Sequence, residues 1–113
     1  MLFQVVTRMN PVGISADEYM KRLPEGVAYM NNLVKQGIIE HSWVRVGESG
    51  ALNIFNVSSH EQLLKSLYEN PISPHLTFQI TPLVPTDVFD DEQVTSFFVH
   101  EAASGETISL KEK

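Results

Sequence analysis

His41, Trp43 and Arg45 occupy every second position of an alternating, β-branched run from Ile38 to Val46. Side chains alternate along a strand, so these three share one face with Ile39, and Ile38, Glu40, Ser42, Val44 and Val46 share the other. The residue types suit a site. His41 can serve as a general base near neutral pH, Trp43 can wall an apolar pocket, and Arg45 can hold a substrate carboxylate through two parallel hydrogen bonds. The same trio suits a subunit interface equally well, where Trp and Arg are favoured and a His makes one hydrogen bond. Both readings stay open, and they can coincide.

Glu25 follows a helix-breaking proline, where a carboxylate near a fresh helix N-terminus is favoured by the dipole. It is either a solvent-facing first-turn residue or a proton-transfer base aimed at a cavity. His75, after Pro74, is a loop residue or part of a cavity rim, and His60 and His100 read as exposed and tail residues. The four histidines are far apart with no His-x-x-x-His spacing, so no metal site is assigned. Gly-x-Gly-x-x-Gly, a phosphate-cradling loop and Gly-x-Ser-x-Gly are all absent, which leaves cofactor-free chemistry or pure binding.

The elements that must position these residues follow from periodicity. Leu2 to Met9 alternates as a strand, and Asn10-Pro-Val-Gly13 turns it. Ser15-Ala-Asp-Glu18 is a capping box, and apolar residues recur every three or four positions from Ala16 to Val34 before Gly37 closes the helix. Pro24 and Gly26 predict a kink or two helical pieces. Ile38–Val46 and Ala51–Val57 flank the turn Gly47-Glu-Ser-Gly50 as a hairpin. Ser58-Ser-His-Glu61 caps a short second helix, and Leu76 to Val84 alternates as a half-buried strand. The order β, α, β, β, α, β is the split βαβ arrangement of ferredoxin-like α+β folds, with both helices on one sheet face. The other face is then bare. Packing it on a second copy, or building a ligand cavity there, is the expected remedy.

The chain has 113 residues with a net charge of −6. Residues 1–86 carry seven acids and six bases, and residues 87–113 carry seven acids and two bases. Two parts are expected: a domain over 1–86 and an acidic C-terminal extension over 87–113, with a terminal hairpin between Phe97 and Leu110 that contacts a neighbouring subunit. The bases are scattered, so nucleic acid is not an expected partner. No apolar run approaches the ~20 residues of a membrane span, and the start lacks a signal peptide's basic residues. With no cysteine, disulfides and thiolate chemistry are excluded, and the cytoplasm is the expected compartment.

An ordered set of segments adds a likeness. Met1-Leu-Phe, Gly37-Ile-Ile-Glu-His41-Ser-Trp43 with Gly47, Phe55-Asn-Val57, Ser59-His-Glu61 and Asn70-Pro-Ile-Ser-Pro74-His75 resemble the muconolactone isomerase family, without gaps from Leu33 to Pro82. The resemblance implies a ferredoxin-like fold whose subunits pair through their sheets into a dimeric α/β barrel and assemble further, up to decamers. It implies a cofactor-free reaction in aromatic catabolism that moves a double bond in a small lactone by proton transfer. In that reaction His41 or Glu25 would move the proton, Arg45 would anchor the acid, and Trp43 and His75 would contact substrate. Two alternatives stand on the same fold: a cofactor-free cyclase, decarboxylase or oxygenase of a biosynthetic pathway, or a noncatalytic binding or assembly protein.

Overall fold

Ser15 opens the first helix because its side-chain oxygen accepts the Glu18 N–H at 3.1 Å, satisfying one of the donors that a helix start leaves free. The computed structural model describes residues 1–10 and 12–88, together with Glu92 and Ser96. From Ser15 the chain runs as one helix, α1 (Ala16–Lys35), straight through Pro24. The expected division into two pieces does not occur. Proline removes one bond to Met20, and both residues lie at exposed positions where water can satisfy the freed carbonyl. At the far end Gly37 takes a positive φ of 78°, and the N–H groups of Gly37 and Ile38 bond back to Val34 and Leu33. That is a Schellman ending.

The strands are β1 (Leu2–Met9), β2 (Ile39–Val44), β3 (Ala51–Asn56) and β4 (Leu76–Leu83), and a second helix, α2 (His60–Tyr68), lies between β3 and β4. The sheet order is β2-β3-β1-β4, antiparallel throughout. This is the ferredoxin-like α+β arrangement that the element order predicts. The second cap falls one residue later than expected: Ser59 accepts the Gln62 N–H, and the Gln62 side chain accepts from the Ser58 N–H.

Along β3, Phe55 pairs with Ile39 but Ile54 pairs with His41, so Glu40 is an extra residue in β2. A β-bulge reverses the side-chain parity beyond it. Ile39 therefore faces the helices with Ser42 and Val44, and His41 and Trp43 face the other way. The expected single face holding Ile39, His41, Trp43 and Arg45 is corrected on this point, because alternation cannot carry across a bulge. Arg45 lies beyond the strand, in the turn, with its N–H on the Gly50 carbonyl.

Phe3, Val5, Leu33, Ile39, Phe55, Val57, Leu63 and Leu67 form the core between the sheet and the helices. Tyr29 ties the helices together by donating its hydroxyl to the Ser66 carbonyl at 2.8 Å. Met1–Leu83 is one compact unit, and Val84–Lys113 is another whose described part includes a 3₁₀ turn at Thr86–Val88. The hairpin expected between Phe97 and Leu110 lies outside the described residues.

Gly50 sits at the crossing of the β2–β3 turn with β1. Its φ is +95°, and a Cβ there would collide with the Thr7 carbonyl oxygen. Gly50→Ala should therefore cost about 2 kcal/mol or more, seen as a lower urea midpoint with an unchanged m-value, and a midpoint equal to wild type would refute the close approach.

Candidate functional site

The helix face of the sheet is filled unevenly. Large apolar residues occupy the end beneath α2, but the other end carries Thr7, Ser42, Ala51 and Asn53, and α1 presents Gly26 there. Small and polar side chains leave a hollow. A cavity of about 460 Å³ lies between this part of the sheet and α1, in the size range of small-molecule sites. Tyr19, Leu23, Val27 and Met30 roof it, Met9, Leu76 and Phe78 wall one side, and Leu67 and Ile72 close the inner end. Gly26 lets α1 approach, since a Cβ at that position would lie 2.5 Å from the Ile72 Cδ1. The cavity is on the face opposite to the one where the sequence predicted it.

Its floor is polar and unpaired. Asn53 is fully buried, and neither its amide oxygen nor its amide nitrogen has a hydrogen-bond partner among the described residues. Thr7 is 8% exposed, and its hydroxyl is likewise unpartnered. Both side chains are on the helix face, because Val5 pairs with Asn53 and Thr7 with Ala51. Buried polar groups without partners are rare and costly, and two beside one cavity mark a place where a ligand can supply the missing bonds. Among the described residues, no Asp, Glu, Lys, Arg or His lines it. Neither Asn53 nor Thr7 was singled out from sequence, although an Asn alternating with Ala51 and Phe55 on an apolar strand face was a readable sign.

The five sequence-derived candidates lie elsewhere in the protomer. His41 stacks on Trp43 with ring centroids 5.5 Å apart and planes 11° from parallel, both exposed on the uncovered sheet face. Glu25 is exposed on α1, two residues from Leu23 and Val27 and so about 200° round the helix from the cavity side. Arg45 pairs with the Glu48 carboxylate, while its Nε–H is buried without an acceptor. His75 has a buried Nδ1 without a partner, and its carbonyl accepts the Asn10 N–H at 2.7 Å. The bulge and the helical period separate these groups. No group of three or more His, Asp or Glu able to hold a metal occurs among the described residues, and no described helix is long and apolar enough to cross a membrane.

Fold and cavity define a ferredoxin-like α+β domain with a ligand-sized chamber under its first helix. The muconolactone delta-isomerase family matches residues 1–87, and the chain belongs to that family. It is 32% identical over 95 residues to the muconolactone delta-isomerase of Acinetobacter baylyi, covering 81% of this chain and 99% of that protein. It is 35% identical over 99 residues to muconolactone delta-isomerase 1 of Acinetobacter lwoffii, with the same coverage of 81% and 99%. A crystal structure of muconolactone isomerase superposes with a TM-score of 0.66 at 23% identity, covering 80% of this chain and 98% of that one. The 5-chloro-2-hydroxyhydroquinone dehydrochlorinase of Burkholderia phenoliruptrix, solved with 2,5-dihydroxybenzoquinone, shares the fold with a TM-score of 0.58 at 14% identity, covering 80% of this chain and 100% of that one. Both superpositions concern the fold.

Two tyrosines report on this packing. Burial raises the Tyr19 phenol above its ordinary 10.0, and burial followed by the nearby Glu69 carboxylate raises Tyr29. The unfolded chain then ionises first as pH rises, so stability is unaffected below pH 10.0 and is lost from there up through the raised folded values. Tyr19→Phe should flatten the alkaline limb of a urea-stability profile. Tyr29→Phe should do the same and, by losing the bond to Ser66, cost about 1 kcal/mol at neutral pH. An alkaline limb unchanged in both variants would contradict the burial.

Proposed function

We propose that this chain is a cofactor-independent isomerase, working as a homo-oligomer in aromatic catabolism, that shifts a double bond in a small muconolactone-like lactone by proton transfer. The observation that carries the reading is an apolar, ligand-sized cavity with a polar, unpartnered floor in a chain of this family. Moving the bond means taking a proton from one ring carbon and returning one to another, and negative charge collects on the lactone oxygen in between. The Asn53 amide N–H and the Thr7 hydroxyl can donate to that oxygen where little water competes, which is where such donors act most strongly.

Arg45 would anchor the carboxylate. It follows Val44, which lines the cavity, and its Nε–H has no acceptor among the described residues. The proton carriers we assign are His41 and Glu25, acting across subunit contacts. His41 lies on the bare sheet face and Glu25 on the outer face of α1, so each would meet a bound ring only from a neighbouring copy. Trp43 and His75 would complete the substrate contacts. A homo-oligomer, a dimer and then a ring as large as a decamer, would supply these contacts at β2, the edge strand of the sheet, from which His41 and Trp43 of one copy would reach the chamber of a copy other than the one packed on their own sheet face.

A second reading, a noncatalytic small-molecule binder on the same fold, draws on one observation: the described cavity lining contains no carboxylate or imidazole. Muconolactone binding without turnover is its mark.

An ultraviolet assay of muconolactone isomerisation by the purified protein, without added cofactor, tests the first reading. His41→Ala and Glu25→Gln should each lower kcat by about a hundredfold or more, and mixing the two variants should restore part of the activity. Arg45→Met should raise KM by roughly 10–100-fold, the worth of a charge-assisted bond. Absence of wild-type turnover above background, or wild-type rates in both carrier variants, would overturn it.

A further inference from the structure

The floor of the cavity specifies more than polarity. The Asn53 side chain carries a donor and an acceptor side by side, and both are free whichever way the amide is turned. It lies at full burial on β3, between Val5 of β1 and Ser42 of β2, so it cannot reach bulk water to satisfy either group. With no charged side chain among the described residues lining the cavity, a carboxylate taken to that depth would be desolvated without a partner, at a cost of several kcal/mol. An ion belongs at the mouth or outside it.

We infer that the buried edge of the ligand is an uncharged ring edge bearing an O–H or N–H donor beside an acceptor, matched by the Asn53 amide. The inference rests on the reading of this cavity as the substrate site, and it names the ring chemistry that the site selects. A lactone offers two acceptors on that edge and leaves the Asn53 oxygen facing one of them. The enol tautomer of a lactone, or a cyclic hydroxy ketone, offers a hydroxyl beside an oxygen and pairs with both amide groups. Asn53 thus favours the enolised form of the ring over the lactone, the kind of differential binding that lowers a barrier. Thr7 adds a hydroxyl that can donate or accept at the same edge.

Binding of three fluorescent or absorbing probes to the full-length protein tests this. The probes are 2-quinolone, whose ring N–H stands beside its carbonyl; coumarin, the same shape with oxygen in place of N–H; and 2-naphthoate, a ring of similar size with a charge. Wild type should bind 2-quinolone about tenfold more tightly than coumarin, the worth of one added hydrogen bond, and should bind 2-naphthoate weakest. Asn53→Leu should bring 2-quinolone and coumarin to equal affinity. It should also raise the urea midpoint, because it removes a buried group that no described residue satisfies. Asn53→Ala gives the same affinity comparison should the leucine not fit. No saturable binding of 2-quinolone, equal binding of 2-quinolone and coumarin by wild type, tightest binding of 2-naphthoate, or a preference that survives in the Asn53 variants overturns the inference. A lowered midpoint in Asn53→Leu also overturns it, since the amide would then be a structural bond. Probe preference without muconolactone turnover refutes the isomerase reading alone, and turnover without probe preference refutes this inference alone.

Discussion

Uneven filling of the sheet's helix face governs this protein. Where Phe3, Phe55 and Ile39 of the sheet meet Leu63 of α2 and Leu33 near the end of α1, side-chain volume closes the space and these residues are buried. At the other end the strands present Thr7, Ala51, Asn53 and Ser42, which do not fill the gap beneath α1. The filled end holds the helix in place over the unfilled end. A hollow costs stability, because its lining loses packing partners, and it persists only because the packed half over-determines the position of α1. The exposed Met20 and Val27 on the helix belong to the same arrangement: they overhang the opening instead of packing into it.

The architecture was legible because its signals are local and redundant. Period-two runs, caps at Ser15 and Gly37 and turn glycines each mark an element independently, and the order of elements then leaves few ways to arrange a sheet. What the sequence concealed was non-local. The bulge at Glu40 depends on how β2 registers against β3, and nothing in Ile39-Glu-His-Ser-Trp announces which residue will be extra. One such residue moved His41 and Trp43 to the opposite side of the sheet from Ile39. Proline 24 misled for a related reason: its local cost is real, but the tertiary packing of Leu33 and Tyr19 on either side keeps the helix whole.

Asn53 shows the complementary lesson. Read along β3, Ala51, Asn53 and Phe55 occupy one face, and an amide between a methyl group and a phenyl ring breaks the apolar pattern. A polar residue in a core position is either satisfied by the fold or kept for something that arrives later. The sequence alone cannot separate these cases, since satisfaction depends on neighbours in space. Here the neighbours are Val5 and Ser42, and neither bonds to it. Local rules fail where function overrides stability, and on the proposed reading of the cavity this position is such a place.

The division of labour between an uncharged chamber and ionisable groups held on outer surfaces has a physical logic on the isomerase reading. A carboxylate or imidazole built permanently into an apolar cavity would be driven toward its neutral form, which leaves a buried acid too weak to give up its proton and keeps a buried imidazole uncharged. Groups held on the outer surface stay solvated in the protomer until a contact with another copy brings them to the ring. The donors that face the developing oxygen need the opposite treatment. They must already be stripped of water and fixed before the reaction begins, because their strength comes from low dielectric and from orientation settled in advance. Asn53 and Thr7 meet that requirement through the pairing of β1 with β3, in which Val5 faces Asn53 and Thr7 faces Ala51. Their cost is then borne by the fold, continuously, and is recovered only when a ring with the right edge enters.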